Sequence, residues 1–190
     1  MNNSLYRITI FCFIIIPNIG FSSVDSIIYW DDNVKLEWND FKGVPTVTNK
    51  HFAISMVGVQ IDEIINDDSV IIDISTYFNC KESWVKDDSK EMKLLLQHEQ
   101  GHFDLSEVYA RMLRQIISSE QFTRLEYENR IDSIIRNSNR MCDKANAQYD
   151  SETDYSKNTK NQIKWNNFIS YQLMEYSEYS ETKVIIRFER

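Results

Sequence analysis

Hydrophobic and polar positions alternate in the first half of the chain. Val70, Ile72, Ile74, Thr76 and Phe78 fall on one face of an extended segment, which is the period of a half-buried strand. Residues 52–64 precede it across the polar turn 66–68, so we expect a β-hairpin. Shorter strand-like runs cover residues 27–30 and 34–38, and a last strand is predicted over 183–188.

The second half of the chain has a helical period. Residues spaced by three and four predict a long helix over about 89–118; they are Leu95, His98, His102, Leu105, Tyr109, Met112 and Ile116. Asp88 followed by Glu91 resembles a capping box at its start. A second long helix is expected over Phe122 to Ala145, and a third over 159–174. A small antiparallel or mixed sheet followed by helices predicts an α+β fold.

Three polar residues of the first helix form an HExxH sequence: His98, Glu99 and His102. Residues four apart share a helix face, so both imidazoles can reach one metal ion with Glu99 beside it. The pattern therefore predicts a Zn²⁺ hydrolase site in which the histidines are ligands and Glu99 is the general base. The alternative is a pair of core histidines held by ordinary hydrogen bonds, without metal.

Composition limits the classes of protein that fit. The chain has 190 residues, 42% of them hydrophobic, which suits one substantial core and therefore one domain. The net charge of -8 argues against a nucleic-acid partner, because phosphates require a basic surface. The expected partner is a peptide or protein substrate.

The N-terminus has the pattern of an export signal. Arg7 precedes an apolar stretch at 8–16, Pro17 interrupts it, and the small residues Gly20, Ser22 and Ser23 follow. The stretch is shorter than the ~20 residues of a membrane span, so we expect a cleaved signal peptide at 1–22 and no stable membrane insertion of the mature chain. An uncleaved anchor is the alternative. The domain then covers 23–190, and the protein is secreted or periplasmic.

Two cysteines remain after the predicted cleavage, Cys80 and Cys142. An even number in an exported chain permits a disulfide, and we expect these two to be bridged. The alternative is two free thiols.

Several segments resemble a bacterial family of secreted zinc-dependent proteases that is otherwise a domain of unknown function. The segment LLLQHEQGHFDLSEVYARML at 94–113 carries most of the resemblance; shorter matches are LEWNDFKGVP at 36–45, CKESWVK at 80–86, QYDSET at 148–153 and QIKW at 162–165. The resemblance implies a zincin-like metallopeptidase domain in the cell envelope or outside the cell. It also implies that His98 and His102 hold zinc and that Glu99 is the catalytic base.

The chain departs from the family pattern at one position. After QYDSET the family continues with a His, where this chain has Asp154 and Tyr155. Tyr155 can donate a hydrogen bond in catalysis or ligate the metal through oxygen, and carboxylates lie nearby. The third ligand therefore stays open among Asp150, Asp154 and Tyr155. A metal-binding or interaction module of the cell envelope with impaired catalysis is the alternative function, and a structural envelope protein without metal is a third.

Overall fold

The centre of the molecule is an antiparallel hairpin covered on one face by a long helix. The computed structural model describes residues 5–6, 26–45 and 50–189. Its strands are β1 (Leu5–Tyr6), β2 (Ile27–Tyr29), β3 (Ala53–Ile54), β4 (Val57–Ile65), β5 (Ser69–Asn79), β6 (Trp84–Val85), β7 (Phe122–Thr123) and β8 (Lys183–Glu189). Its α-helices are α1 (Leu95–Ser119), α2 (Tyr127–Thr153) and α3 (Thr159–Glu175), and short 3-10 helices cover Trp38–Asp40, Asp87–Ser89 and Ser177–Tyr179.

The main sheet is mixed. Its order is β1-β4-β5-β8-β7, with β2 also paired to β5, and the β7–β8 pair is the parallel one. The predicted hairpin is confirmed: β4 and β5 pair from Val57 opposite Phe78 to Ile65 opposite Val70. Along β5 every second residue is buried, as the alternation predicted, because one face of the sheet packs on the core. β3 and β6 form a separate two-stranded pair.

Helix α1 lies between the sheet and the other two helices, so it is buried on more than one side. Ala110, Leu113 and Ile117 pack with Ile72 and Ile74 of β5. On another face, Leu105 and Val108 pack with residues of α2 and α3, among them Tyr149, Trp165 and Ile169. A third cluster joins Leu95 and Phe103 of α1 to the segment after β2 and to the end of β5, including Phe41 and Phe78. This burial holds the HExxH helix rigidly.

Several predicted elements are confirmed and others are corrected. The fold class is α+β, and α3, β8 and β2 lie where they were expected. Residues 34–38 are not a strand; β2 pairs with β5 instead. Helix α1 begins at Leu95 rather than near residue 89, because residues 87–94 form 3-10 and turn structure through bonds such as that from the Met92 N–H to the Ser89 carbonyl. Phe122 lies in β7, and α2 starts only at Tyr127.

The predicted disulfide is wrong, since Cys80 and Cys142 are both free thiols. Cys80 is buried in the cluster around Phe41 and Phe78, whereas Cys142 lies on α2 beside Asn146. The two thiols thus lie in different parts of the structure: Cys80 is in the cluster at the start of α1, and Cys142 is on α2.

The predicted signal peptide at 1–22 lies outside the described residues, apart from Leu5 and Tyr6. In the part of the chain that the structure covers, no helix combines the length and the apolar character needed to cross a bilayer.

Candidate metal centre

Three potential ligands converge at the contact between α1 and α2. His98 and His102 lie one turn apart on α1, and Asp150 projects from α2. The Asp150 Oδ1 atom lies 3.1 Å from His98 Nε2 and 3.0 Å from His102 Nε2. Among the described residues, this is the group of three or more His, Cys, Asp or Glu side chains whose ligand atoms all lie within 4.8 Å of one another. Of the three candidates for a third ligand, Asp150 is the one that belongs to this group.

Side-chain amides fix the orientation of both imidazole rings. Asn146 donates through Nδ2 to the Cys142 carbonyl, so its Oδ1, 2.7 Å from His102 Nδ1, is an acceptor. Gln162 donates through Nε2 to the Tyr149 hydroxyl, and its Oε1 lies 3.1 Å from His98 Nδ1. Each Nδ1 therefore carries a proton and donates it to an amide oxygen.

The protons on Nδ1 leave the Nε2 lone pairs of neutral His98 and His102 pointing toward Asp150 Oδ1. Two Nε2 lone pairs that each face a carboxylate oxygen about 3 Å away require a proton or a cation between them and that oxygen. This pattern, with the outer ring nitrogen held by a polar group, is the usual one for metal-ligating histidines.

The same three atoms fit a metal ion. Donors about 2.0–2.2 Å from a tetrahedral zinc ion lie roughly 3.3–3.6 Å from each other. The distances from Asp150 Oδ1 to the two rings, 3.1 and 3.0 Å, are a few tenths of an ångström shorter. Burial raises the pKa of Asp150, but the hydrogen bonds and positive charges that His102 and His98 supply when they are protonated outweigh it and hold the pKa well below its usual range. Asp150 is therefore an ionised carboxylate, the form that binds a cation.

A proton on His102 can take the place of the cation. Burial lowers the pKa of His102, but the hydrogen bond to Asp150 and the negative charges of Glu99 and Asp150 outweigh it and raise the pKa above its usual value. The surroundings of the three ligands thus favour positive charge.

Gly101 of the HEQGH sequence permits close packing behind the ligands. A Cβ atom at this position would overlap the hydroxyl and ring of Tyr149. The Tyr149 ring stacks on His98 with centroids 4.5 Å apart, and its hydroxyl lies 3.1 Å from the His98 carbonyl oxygen. Gly101 therefore lets α2 approach α1 closely enough for Asp150 to reach both histidines.

Glu99 lies beside the three ligands without joining them. Its side chain is 3% exposed, and its Oε2 accepts a 2.6 Å hydrogen bond from the hydroxyl of Ser55. Ser55 lies between β3 and β4, so the sheet side of the site positions this carboxylate. The arrangement leaves Glu99 available as a base rather than as a ligand.

The remaining two candidates, Asp154 and Tyr155, lie in a tight turn after α2. Asp154, Tyr155 and Ser156 have φ values of 47°, 50° and 75°, the left-handed region that side chains other than glycine rarely adopt. Asp154 caps α2, its N–H bonding the Asp150 carbonyl. Tyr155 is 41% exposed, and its ring meets the edge of His51 at 5.3 Å between centroids.

Two cavities meet at the candidate centre. The first, about 240 Å³, is lined by His51, Phe52, Ala53, Ile54, Ser55, Leu95, His98, Glu99, His102, Asp150 and Tyr155. The second, about 250 Å³, lies between the start of β4 and helices α1 and α2. Ser55 and His102 line both cavities. The candidate ligands, the candidate base and Tyr155 thus line the first cavity together, and the second cavity adjoins it.

The structure adds residues that the sequence did not single out. Ser55, Asn146, Gln162 and His51 all lie at the centre or its cavity, and none belongs to a local pattern with a known metal spacing. Asp104, two residues after His102, holds neither imidazole, since Gln162 and Asn146 have that position. Asp104 instead accepts hydrogen bonds from Trp30 Nε1 and from Gln100.

Glu107 of α1 also lies away from the candidate centre. Its carboxylate pairs with Arg111 at 3.0 Å and with Arg114 at 2.9 Å, and it accepts a hydrogen bond from Thr76. This buried network joins α1 to β5. Glu107 therefore has a structural role.

Comparison of the chain with protein-family models, with curated proteins and with solved structures finds no match.

Proposed function

We propose that this protein is an exported zinc-dependent peptidase. The observation that supports this function best is the convergence of two amide-held imidazoles and the ionised Asp150, with the non-ligating Glu99 next to them. Three protein ligands and a neighbouring carboxylate are the set that hydrolytic zinc sites use, whereas structural zinc sites have four protein ligands. A long helix that presents both histidines beneath a sheet edge is also the basis for proposing a zincin-like fold.

Each residue has a defined part in the proposed reaction. His98, His102 and Asp150 hold the ion. Zinc, when bound, lowers the pKa of a water molecule toward about 7 and polarises the scissile carbonyl. Glu99 takes a proton from the attacking water and passes it to the leaving amine. Ser55 keeps the Glu99 carboxylate directed at that water.

Tyr155 is the proposed hydrogen-bond donor to the carbonyl oxygen of the substrate. Its ring lines the cavity that contains Glu99 and the three ligands, and it stands where the resembling family has a His. A phenol is a donor at neutral pH, so it can stabilise the negative charge that develops on that oxygen.

The sheet provides a place for an extended peptide. Residues 51–55 line the metal cavity, and residues 55–59 line the adjoining one. Within the described part of the chain, the outer edge of β4 is paired only at Glu63 and Ile64, far from Ser55 along the strand. A substrate added beside residues 57–59 would bond to the backbone of this edge and pass the metal.

The experiment compares Glu99→Gln with His102→Ala. Gln keeps the shape and the acceptor oxygen but loses the base, so we expect zinc content near that of the parent and peptide hydrolysis lowered by roughly 100-fold or more. His102→Ala should lose the metal. Glu91→Gln, an exposed change on the segment before α1, serves as the control and should alter neither. Full hydrolysis by Glu99→Gln would refute the proposal.

A metal-binding module without turnover is the second candidate. It is favoured by the replacement of the family His by Tyr155, whose ring is partly exposed and lies against His51. Tyr155→Phe separates the two. If the protein hydrolyses peptides and Tyr155 is the donor, Tyr155→Phe lowers the rate of hydrolysis and keeps the zinc content. If the parent protein binds zinc but cleaves no peptide, the second candidate is correct.

Export to the periplasm or the medium is part of the proposal and is supported by the sequence at 7–23. Intact-mass analysis of the exported protein should find a chain that begins between Ser22 and Asp25. Retention of Met1 would contradict it.

A further inference from the structure

The cavity beside the metal centre has the chemistry of a pocket for an apolar side chain. Its volume is about 250 Å³. An apolar cavity of roughly 150 Å³ in another protein admits benzene, so this one has room for an aromatic or a large aliphatic group. The lining residues are Ser55, Met56, Val57, Gly58, Val59, His102, Ser106, Tyr109, Ala110, Leu113, Ser138, Asn139, Cys142, Asp143 and Asn146.

The polar groups of this lining are largely occupied within the protein. The Ser106 hydroxyl donates to the His102 carbonyl at 2.9 Å, and both ends of the Asn146 amide are bonded to His102 and Cys142. Burial raises the pKa of the Cys142 thiol to about 11, so the thiol is neutral at pH 7. Val57, Val59, Ala110 and Leu113 supply the apolar wall.

Charge adds to the selectivity. Of the described lining residues, none is Lys or Arg, and Asp143 is the carboxylate. An acidic side chain would therefore find no Lys or Arg in the lining to pair with and would lie near the Asp143 carboxylate, at a cost in desolvation. A neutral apolar side chain gains from burial and loses no hydrogen bond.

We propose that this cavity, which forms a groove beside the metal centre, binds a large apolar side chain of the peptide substrate. That side chain belongs to a residue that flanks the scissile bond. This rests on the proposed peptidase function. The position next to the bond follows from adjacency, because Ser55 and His102 line both the groove and the cavity of Glu99 and Asp150. A peptide that reaches the metal beside β4 therefore has the groove within one residue of its reacting carbonyl.

The first test is the cleavage of a mixed peptide library by the zinc-loaded mature protein, with the products mapped by mass spectrometry. Phe, Leu, Met or Tyr should be enriched at one position flanking the cleaved bond, and Asp and Glu should be depleted there. Cleavage without preference at both flanking positions would overturn the inference and leave the peptidase proposal intact.

A matched pair of variants on α2 locates the pocket. Ser138 is buried in the groove lining, and Ser133 is exposed on the same helix. Ser138→Phe should fill the groove and lower kcat/KM for a peptide with Phe beside the cleaved bond at least about tenfold. For a matched peptide with Ala at that position the effect should be much smaller, and zinc content should be unchanged. Ser133→Phe should change neither. An equal loss on both peptides with normal zinc content would overturn the inference.

Val59→Ala provides a milder change should Ser138→Phe fail to fold. It enlarges the groove, so preference should move from Leu toward Phe and Trp; an unchanged order would count against the pocket.

Binding is measured separately by calorimetry with zinc-loaded Glu99→Gln and N-acetyl peptide amides containing Phe, Ala or Asp. Tighter binding of the Phe peptide, weakened by Ser138→Phe, supports the pocket even if the parent cleaves nothing, in which case the peptidase proposal alone fails. Equal binding of all three peptides overturns the pocket.

Discussion

The Ser55 hydroxyl donates a 2.6 Å hydrogen bond to Oε2 of Glu99, joining the loop between β3 and β4 to the HExxH helix. The two residues are 44 positions apart in the chain. One oxygen of the carboxylate is thereby fixed by the sheet side of the site. The direction of the other oxygen, which is proposed to accept the proton of water, is set by this bond.

Removal of this bond should impair the reaction and spare the metal. A hydrogen bond to a charged group contributes about 1.5–3 kcal/mol, so Ser55→Ala is expected to lower kcat roughly tenfold or more, with zinc content unchanged. Ser151→Ala, an exposed change on α2, is the control. Steady-state kinetics on metal-loaded protein provides the measurement, and a parental kcat for Ser55→Ala would show that Glu99 needs no such support.

Substitution of two neighbouring carboxylates tests which of them is the third metal ligand. Asp150→Asn should reduce zinc affinity by more than the roughly 100-fold that loss of an outer partner can cause, because one of three ligands loses its charge. Asp154→Asn, four residues further on in the exposed turn, should bind zinc like the parent. Competition with a chelating dye measures both. A loss confined to Asp154→Asn would move the third ligand to that residue.

The side-chain amide of Asn146, which holds His102, should contribute to zinc affinity although it does not contact the metal. Asn146→Ala removes the acceptor 2.7 Å from His102 Nδ1, so the ring is free to rotate and zinc affinity should fall about 10- to 100-fold. Asn167→Ala on the exposed face of α3 is the matched control. Asn146→Asp keeps an acceptor and should restore much of the affinity, an outcome that a purely structural role for Asn146 would not give.

Glu63 should make the stability of the fold depend on pH. Burial is the largest cause that raises the pKa of this carboxyl, and the charges of the neighbouring Asp132 and Glu128 raise it further. The 2.9 Å hydrogen bond from Tyr127 lowers the pKa, but by less than burial raises it. Between the ordinary glutamate pKa and the raised one, folded protein holds a proton that unfolded protein has released. Stability therefore falls as pH rises through this window, and the penalty is complete above it.

Glu63→Gln keeps an acceptor for Tyr127 and removes the titration. The variant should exceed the parent in free energy of unfolding at pH 7, and the difference should shrink toward pH 4, as measured by urea denaturation. The exposed Glu91→Gln is expected to show no such trend. A constant difference between Glu63→Gln and the parent across this range would show that the effect is one of packing rather than of charge.

Much of the secondary structure and half of the candidate centre could be predicted from local sequence. The alternation at Val70, Ile72 and Ile74 places β5 correctly because burial of one sheet face acts on every second residue. The spacing of His98 and His102 places both on one helix face, wherever that helix begins. The starts of α1 and α2 were misplaced because 3-10 turns and the short β7 strand depend on contacts that their own residues do not encode.

What the sequence by itself determined is the composition of the helix: an HExxH set, a glycine at 101 and an apolar stripe, each fixed by local geometry. Only the tertiary structure decided that Asp150 rather than Asp154 meets the two rings, that Gln162 and Asn146 hold them, and that Ser55 holds Glu99. These partners lie 44 to 64 residues away in the chain. They are brought together by the packing of α1 against the sheet, α2 and α3, and no local periodicity records such contacts.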